Sequence, residues 1–121
     1  MLTTKVFPIG HYRYPMQAAP PTLDPETLRR AADKAVGTLK ILANVERMLL
    51  LCQLSQGEMC VSDLEARLAI RQPTLSQQLA VLRTEGVVST RRDGKNIFYS
   101  VADPDLLTIL AVLYRLYCPE A

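Results

Sequence analysis

The chain has 121 residues, 49% hydrophobic and 21% charged, a balance that supports one folded domain with a modest core and excludes a disordered chain. Formal net charge is only +2, so any affinity for nucleic acid must come from where the basic residues sit; the single histidine, His11, leaves little for imidazole catalysis or for most zinc geometries. The longest apolar stretch, Leu106 to Tyr114, ends at Arg115 and is too short to span a bilayer, so no membrane partner is expected. Pro8, Pro15 and Pro20 interrupt the first twenty residues, which excludes the unbroken apolar run of a secretory signal and makes the cytoplasm the expected compartment. Three cysteines, an odd number in a reducing compartment, point to reactivity rather than to a structural disulfide framework.

In chain order, residues 1–22 read as an irregular or disordered leader, and residues 23–121 as one domain. A helix is expected from Asp24, an N-cap followed by Pro25, with Leu28, Ala32, Ala35, Leu39 and Leu42 on one face. Asn44 caps a second helix carrying Met48, Leu49, Leu51, Cys52 and Leu54 and ending near Gly57. From Val61 two short helices follow across a tight turn, the first with Leu64 and Leu68 inward, the second with Leu75, Leu79 and Leu82. The second of these opens at Gln72, with Pro73 in its first turn, and stops at Gly86. Val87 to Arg92 and Lys95 to Val101 are β-rich and are expected to form a hairpin about Asp93-Gly94. A last helix, capped by Asp103 ahead of Pro104, is apolar nearly all round through Leu106, Leu107, Ile109, Leu110, Val112, Leu113, Leu116 and Tyr117. A chain this small has little with which to cover such a helix, so a homodimer joined by its first and last helices is expected, the alternative being that the last helix is the monomer's own core.

This order is that of a winged helix-turn-helix, mainly α with a small β-hairpin wing, presenting its second short helix to double-stranded DNA. With the leucines inward, Gln77 turns outward and Thr74 and Ser76 flank it; Gln72, Thr74, Ser76, Gln77 and Gln78 are the candidate base-reading residues, Gln78 lying nearest the buried side. On the wing, Arg92 is expected opposite Lys95 with Arg91 beside them, a concentration of like charge that calls for phosphate nearby. A solvated polar face and a solvated loop are the corresponding alternatives.

With the string QPTLSQQLAVLRTEGVVSTRRDGKNIFYSV in place, the chain resembles the ArsR family of winged-helix repressors, from about Leu39 to Cys118. LLLCQLSQGE, QPTLSQQL and the ending LYRLYCP are similar to the persulfide-sensing branch of that family. The resemblance implies an operator-binding repressor with no cofactor, and Cys52 and Cys118 as a redox-sensing pair that reactive sulfur species bridge as a disulfide or polysulfide, releasing the operator. Where the family's arsenic sensors carry two cysteines, this chain has Cys60, Val61 and Ser62, and its last helix has no histidine, so a family-type metal site is not expected. Cys52 as a small core residue, a metalloid response through Cys52, Cys60 and Cys118, a thiol-dependent redox enzyme and a winged helix used only for protein contacts remain open at this point.

Overall fold

A computed structural model describes residues 24–119; the expected leader at 1–22 lies outside the described residues. Eight elements follow in order: α1 (Pro25–Leu42), α2 (Val45–Leu54), β1 (Met59–Cys60), α3 (Val61–Leu68), α4 (Thr74–Thr84), β2 (Val88–Asp93), β3 (Asn96–Val101) and α5 (Pro104–Tyr117). The helix α1 crosses the boundary between two units, Met1–Val36 and Gly37–Ala121. In the first unit, Asp24 Oδ1 accepts the Thr27 backbone N–H at 2.8 Å, starting the helix as the sequence anticipates, and Leu28 and Val36 are exposed.

The second unit holds the core. Leu42, Leu50, Leu51, Leu54, Leu64, Ile70, Leu75, Leu79, Leu82, Val87, Val88, Tyr99, Leu106 and Leu110 form one buried cluster. On α2 the inward face is Leu50, Leu51 and Leu54; Met48 and Cys52 sit half-buried at its border, and Leu49 is exposed. That helix starts where Asn44 Oδ1 accepts the Arg47 backbone N–H at 3.0 Å and stops at Leu54, short of Gly57.

Between α3 and α4 the chain turns at Ala69, whose left-handed backbone (φ 57°, ψ 32°) closes α3 through its N–H to the Glu65 carbonyl. α4 begins at Thr74 rather than at Gln72, with Pro73 as its N-cap. It ends at Thr84, and Gly86 at φ +75° lets the chain reverse into the wing, a conformation that disfavours any side chain there. The antiparallel sheet has strand order β1-β3-β2, and its first strand, only two residues long, is absent from the sequence reading because so short a run carries no alternation.

The hairpin corrects one expectation. Asp93 pairs with Asn96, so the two turn residues are Gly94 and Lys95, with Gly94 at φ +66°, not Asp93 and Gly94. Glycine in the first central position is the other common way to close a two-residue hairpin. Arg92 therefore lies opposite Ile97 and not opposite Lys95, and the expected clash of like charges is removed.

The helix α5 is capped by Asp103 Oδ1, which accepts the Asp105 N–H at 2.9 Å. Its inner edge, Leu106 and Leu110, is buried, while Leu107, Val112, Tyr114, Leu116 and Tyr117 are exposed, the last at 78%. Leu75, fully buried on α4, is expected on truncation to alanine to lower unfolding free energy by about 2–5 kcal/mol, read as a shifted urea midpoint with unchanged slope.

Candidate nucleic-acid interface and cysteine pair

Leu75, Leu79 and Leu82 face inward from α4, which leaves Ser76, Gln77, Ala80 and Thr84 exposed and Thr74 half-buried. Of the polar residues expected on this edge, two have part of their bonding capacity committed within the protein. Gln72 stands just ahead of the helix, and its Oε1 accepts the Ser76 backbone N–H at 3.1 Å, satisfying one of the donors a helix start leaves open. Gln78 is half-buried, and its Oε1 accepts a hydrogen bond from Arg47 Nη1 at 3.0 Å.

Arg47 is a residue that sequence reasoning missed. Besides Gln78 it donates from Nε to the Ile41 carbonyl at 2.7 Å and from Nη2 to the Lys40 carbonyl at 3.1 Å, satisfying the last carbonyls of α1. One guanidinium thus ties the end of α1, the start of α2 and the flank of α4. Its planar fork of donors suits three acceptors at once. Thirty-one positions separate Arg47 from Gln78, and no local pattern announces such a pair.

On the wing the three expected cations divide. Arg91 donates from Nε and Nη2 to the Glu58 carboxylate, at 3.0 and 2.6 Å, lies 3.9 Å from Asp93 Oδ2, and stacks over the Phe98 ring at 4.6 Å to its centre. Its charge is held by Glu58 and the adjoining Asp93, and its first structural role is to fasten the wing to the loop after α2. Glu58 and Phe98 were not expected in this site. Arg92 and Lys95 are exposed and, among the described residues, make no ion pair. They are the wing cations available to an anion.

Cys52 lies on α2, half-buried against the core, and Cys118 is the exposed C-cap of α5, its backbone N–H bonded to the Tyr114 carbonyl. Burial first, and the charge of nearby Cys118 second, push the Cys52 thiol up from its ordinary value. Cys60 is buried between β1 and α3, its Sγ 3.3 Å from Ser62 Oγ. Among the described residues no three His, Cys, Asp or Glu side chains converge as a metal-ion group.

A tight helix pair with a polar outer edge, flanked by a cationic hairpin, defines a winged helix-turn-helix transcription regulator. The chain belongs to the arsR family of bacterial regulatory proteins, whose pattern it matches over residues 44–90. It is 50% identical over 97 residues to the biofilm growth-associated repressor of Agrobacterium fabrum, covering 79% of this chain and 82% of that one. To the transcriptional activator HlyU of Vibrio cholerae it is 37% identical over 103 residues, covering 85% and 94%. Among solved structures, the transcriptional repressor BigR from Xylella fastidiosa superposes with a TM-score of 0.74 at 39% identity, covering 81% of this chain and 100% of that one. The chain is accordingly a regulator and not an enzyme, and no helix among the described residues is long and apolar enough to cross a membrane.

The Arg91 contact holds the Glu58 carboxyl below the ordinary glutamate range. A depressed carboxylate pKa means the contact favours the folded state above the ordinary value and stops doing so as pH falls through the depressed one. Exposure keeps that contribution small. Carboxylate NMR is expected to show Glu58 titrating below the ordinary glutamate value, and Arg91→Met is expected to move it back toward that value.

Proposed function

We propose that the protein is a cytoplasmic, dithiol-switched transcriptional repressor that binds operator DNA as a homodimer and releases it when Cys52 and Cys118 are bridged by reactive sulfur species. The observation that carries the switch is that α5, which ends at the exposed Cys118, packs against α2, which carries the half-buried Cys52 and whose other end grips α4 through Arg47. A bridge that displaces α2 has a direct hold on the DNA-reading helix. The exposed apolar surface of α5 supports a homodimer, since leaving Leu107, Val112, Leu116 and Tyr117 in water is unfavourable for one copy alone.

Cys118 reacts first, being exposed, while burial raises the Cys52 thiol and so disfavours its thiolate. Its thiolate takes the outer sulfur of an organic persulfide, R–S–S–H, giving Cys118–S–SH and releasing R–SH. The Cys52 thiolate then attacks the inner sulfur, forming the disulfide and expelling hydrogen sulfide. Where both cysteines are first persulfidated, each at the cost of one persulfide molecule, their condensation gives a trisulfide and one hydrogen sulfide. The longer bridge relaxes the limit of about 7 Å between Cα atoms that a direct disulfide imposes.

Ser76, Gln77 and the donor groups of Gln72, Gln78 and Thr74 face the major groove in this reading, and Arg92 and Lys95 meet phosphate. Arg91 keeps Nε and Nη2 on Glu58 and has Nη1 for an outside acceptor.

Operator binding by reduced and persulfide-treated protein is the decisive measurement. Treatment is expected to weaken binding by about 5- to 150-fold, the usual size of a coupling between sites, in the wild type and not in Cys52→Ser or Cys118→Ser. Mass spectrometry of Cys52→Ser is expected to find the persulfide retained on Cys118. Release by stoichiometric arsenite, with persulfide inert, would overturn the proposal in favour of a metalloid response. Arg92→Ala is expected to weaken all duplexes alike and to reduce the slope of log K against log salt by about 1.

A further inference from the structure

The three glutamines on and just ahead of α4 are not chemically equivalent. Every guanidinium nitrogen of Arg47 is a donor, so the Gln78 amide atom 3.0 Å from Nη1 is the carbonyl oxygen. The Ser76 backbone N–H is likewise only a donor, so Gln72 meets it with its own carbonyl oxygen at 3.1 Å. Each of these oxygens already accepts one hydrogen bond and keeps a single lone pair, whereas both NH2 hydrogens remain for an outside partner. Turning the Gln78 amide over would set NH2 against the donor face of Arg47 and leave a half-buried guanidinium nitrogen unpaired. Gln77 is exposed, and among the described residues neither half of its amide has a partner.

Glutamine pairs with adenine through two atoms together, the oxygen accepting from N6 and the nitrogen donating to N7. That contact needs both halves of the amide. Guanine N7 and O6, thymine O4 and phosphate oxygens are acceptors and need only a donor. We infer that Gln77 is the adenine-reading glutamine of α4, and that Gln72 and Gln78, whose oxygens are held by protein donors, serve as donors to guanine, thymine or phosphate, with Arg47 the positioning residue that keeps Gln78 in this state. The inference rests on α4 being the DNA-reading helix.

Selection from randomised duplexes, read as base preference at each position, tests it on the full chain. Gln77→Met is expected to lose an adenine preference of roughly 5- to 150-fold at one position. Gln72→Met and Gln78→Met are expected to keep every adenine preference of the wild type while weakening guanine or thymine preference or overall affinity. Arg47→Met, by freeing the Gln78 oxygen, is expected to admit adenine at a position where the wild type disfavours it; Gln78→Met carries the comparison where Arg47→Met does not fold. An adenine preference that survives Gln77→Met, or that disappears in Gln78→Met or Gln72→Met, overturns the inference while leaving the regulator reading intact. A wild type that selects no duplex overturns both.

Discussion

Burial of Leu75, Leu79 and Leu82 fixes the rotation of α4 about its own axis, and every property of its outer edge depends on that rotation. A helix turns 100° per residue, so one face cannot be placed without placing the other. Each leucine removed from water contributes on the order of 1.5–3 kcal/mol, far more than any single polar contact on the surface. Ser76 and Gln77 are outward because the leucines are inward. The apolar core therefore decides which side chains α4 presents to solvent.

Polar contacts then refine what the leucines have oriented. Arg47 adds the restraint of a charged fork with three neutral acceptors, and its effect on Gln78 is to specify which half of an amide faces out. Hydrogen bonds to a charged group contribute about 1.5–3 kcal/mol, and leaving one unmade in a half-buried place costs more than making it gains. Gln72 meets the same logic at the helix start. A surface that looks like a row of similar amides thus has an ordered pattern of donors and acceptors.

The helices were legible because their signals are local. Asp24, Asn44 and Asp103 each cap the helix that follows, and each lies within three residues of the N–H it accepts. The hairpin was legible in kind but not in register: Asp-Gly permits glycine in either central position, and only the pairing of Thr90 with buried Tyr99 and of Val88 with Val101 distinguishes them. Arg47 with Gln78 and Arg91 with Glu58 were illegible, since their partners are 31 and 33 residues away and chosen by packing. The expected opposition of Arg92 and Lys95 failed with the register. Cys52 and Cys118 were picked out by resemblance, and the packing of α2 against α5, which joins their helices, is a tertiary feature that no local pattern announces.

The backbones beneath the two cysteines differ in a way that bears on how a bridge between them would act. Cys118 is the first residue past the helical turn, with extended φ and ψ of −86° and 134°, so its side chain has room to swing without unwinding α5. Cys52 is inside α2, where its carbonyl also accepts the Ser55 hydroxyl at 2.6 Å, and it moves only with its helix. A rise of about 1.5 Å per residue puts Arg47 roughly 7.5 Å further along the same rigid rod. Strain arising at the thiols would first be taken up by the end of α5. Whatever that end cannot absorb falls on α2 as a whole, and so on the guanidinium that holds Gln78 in place.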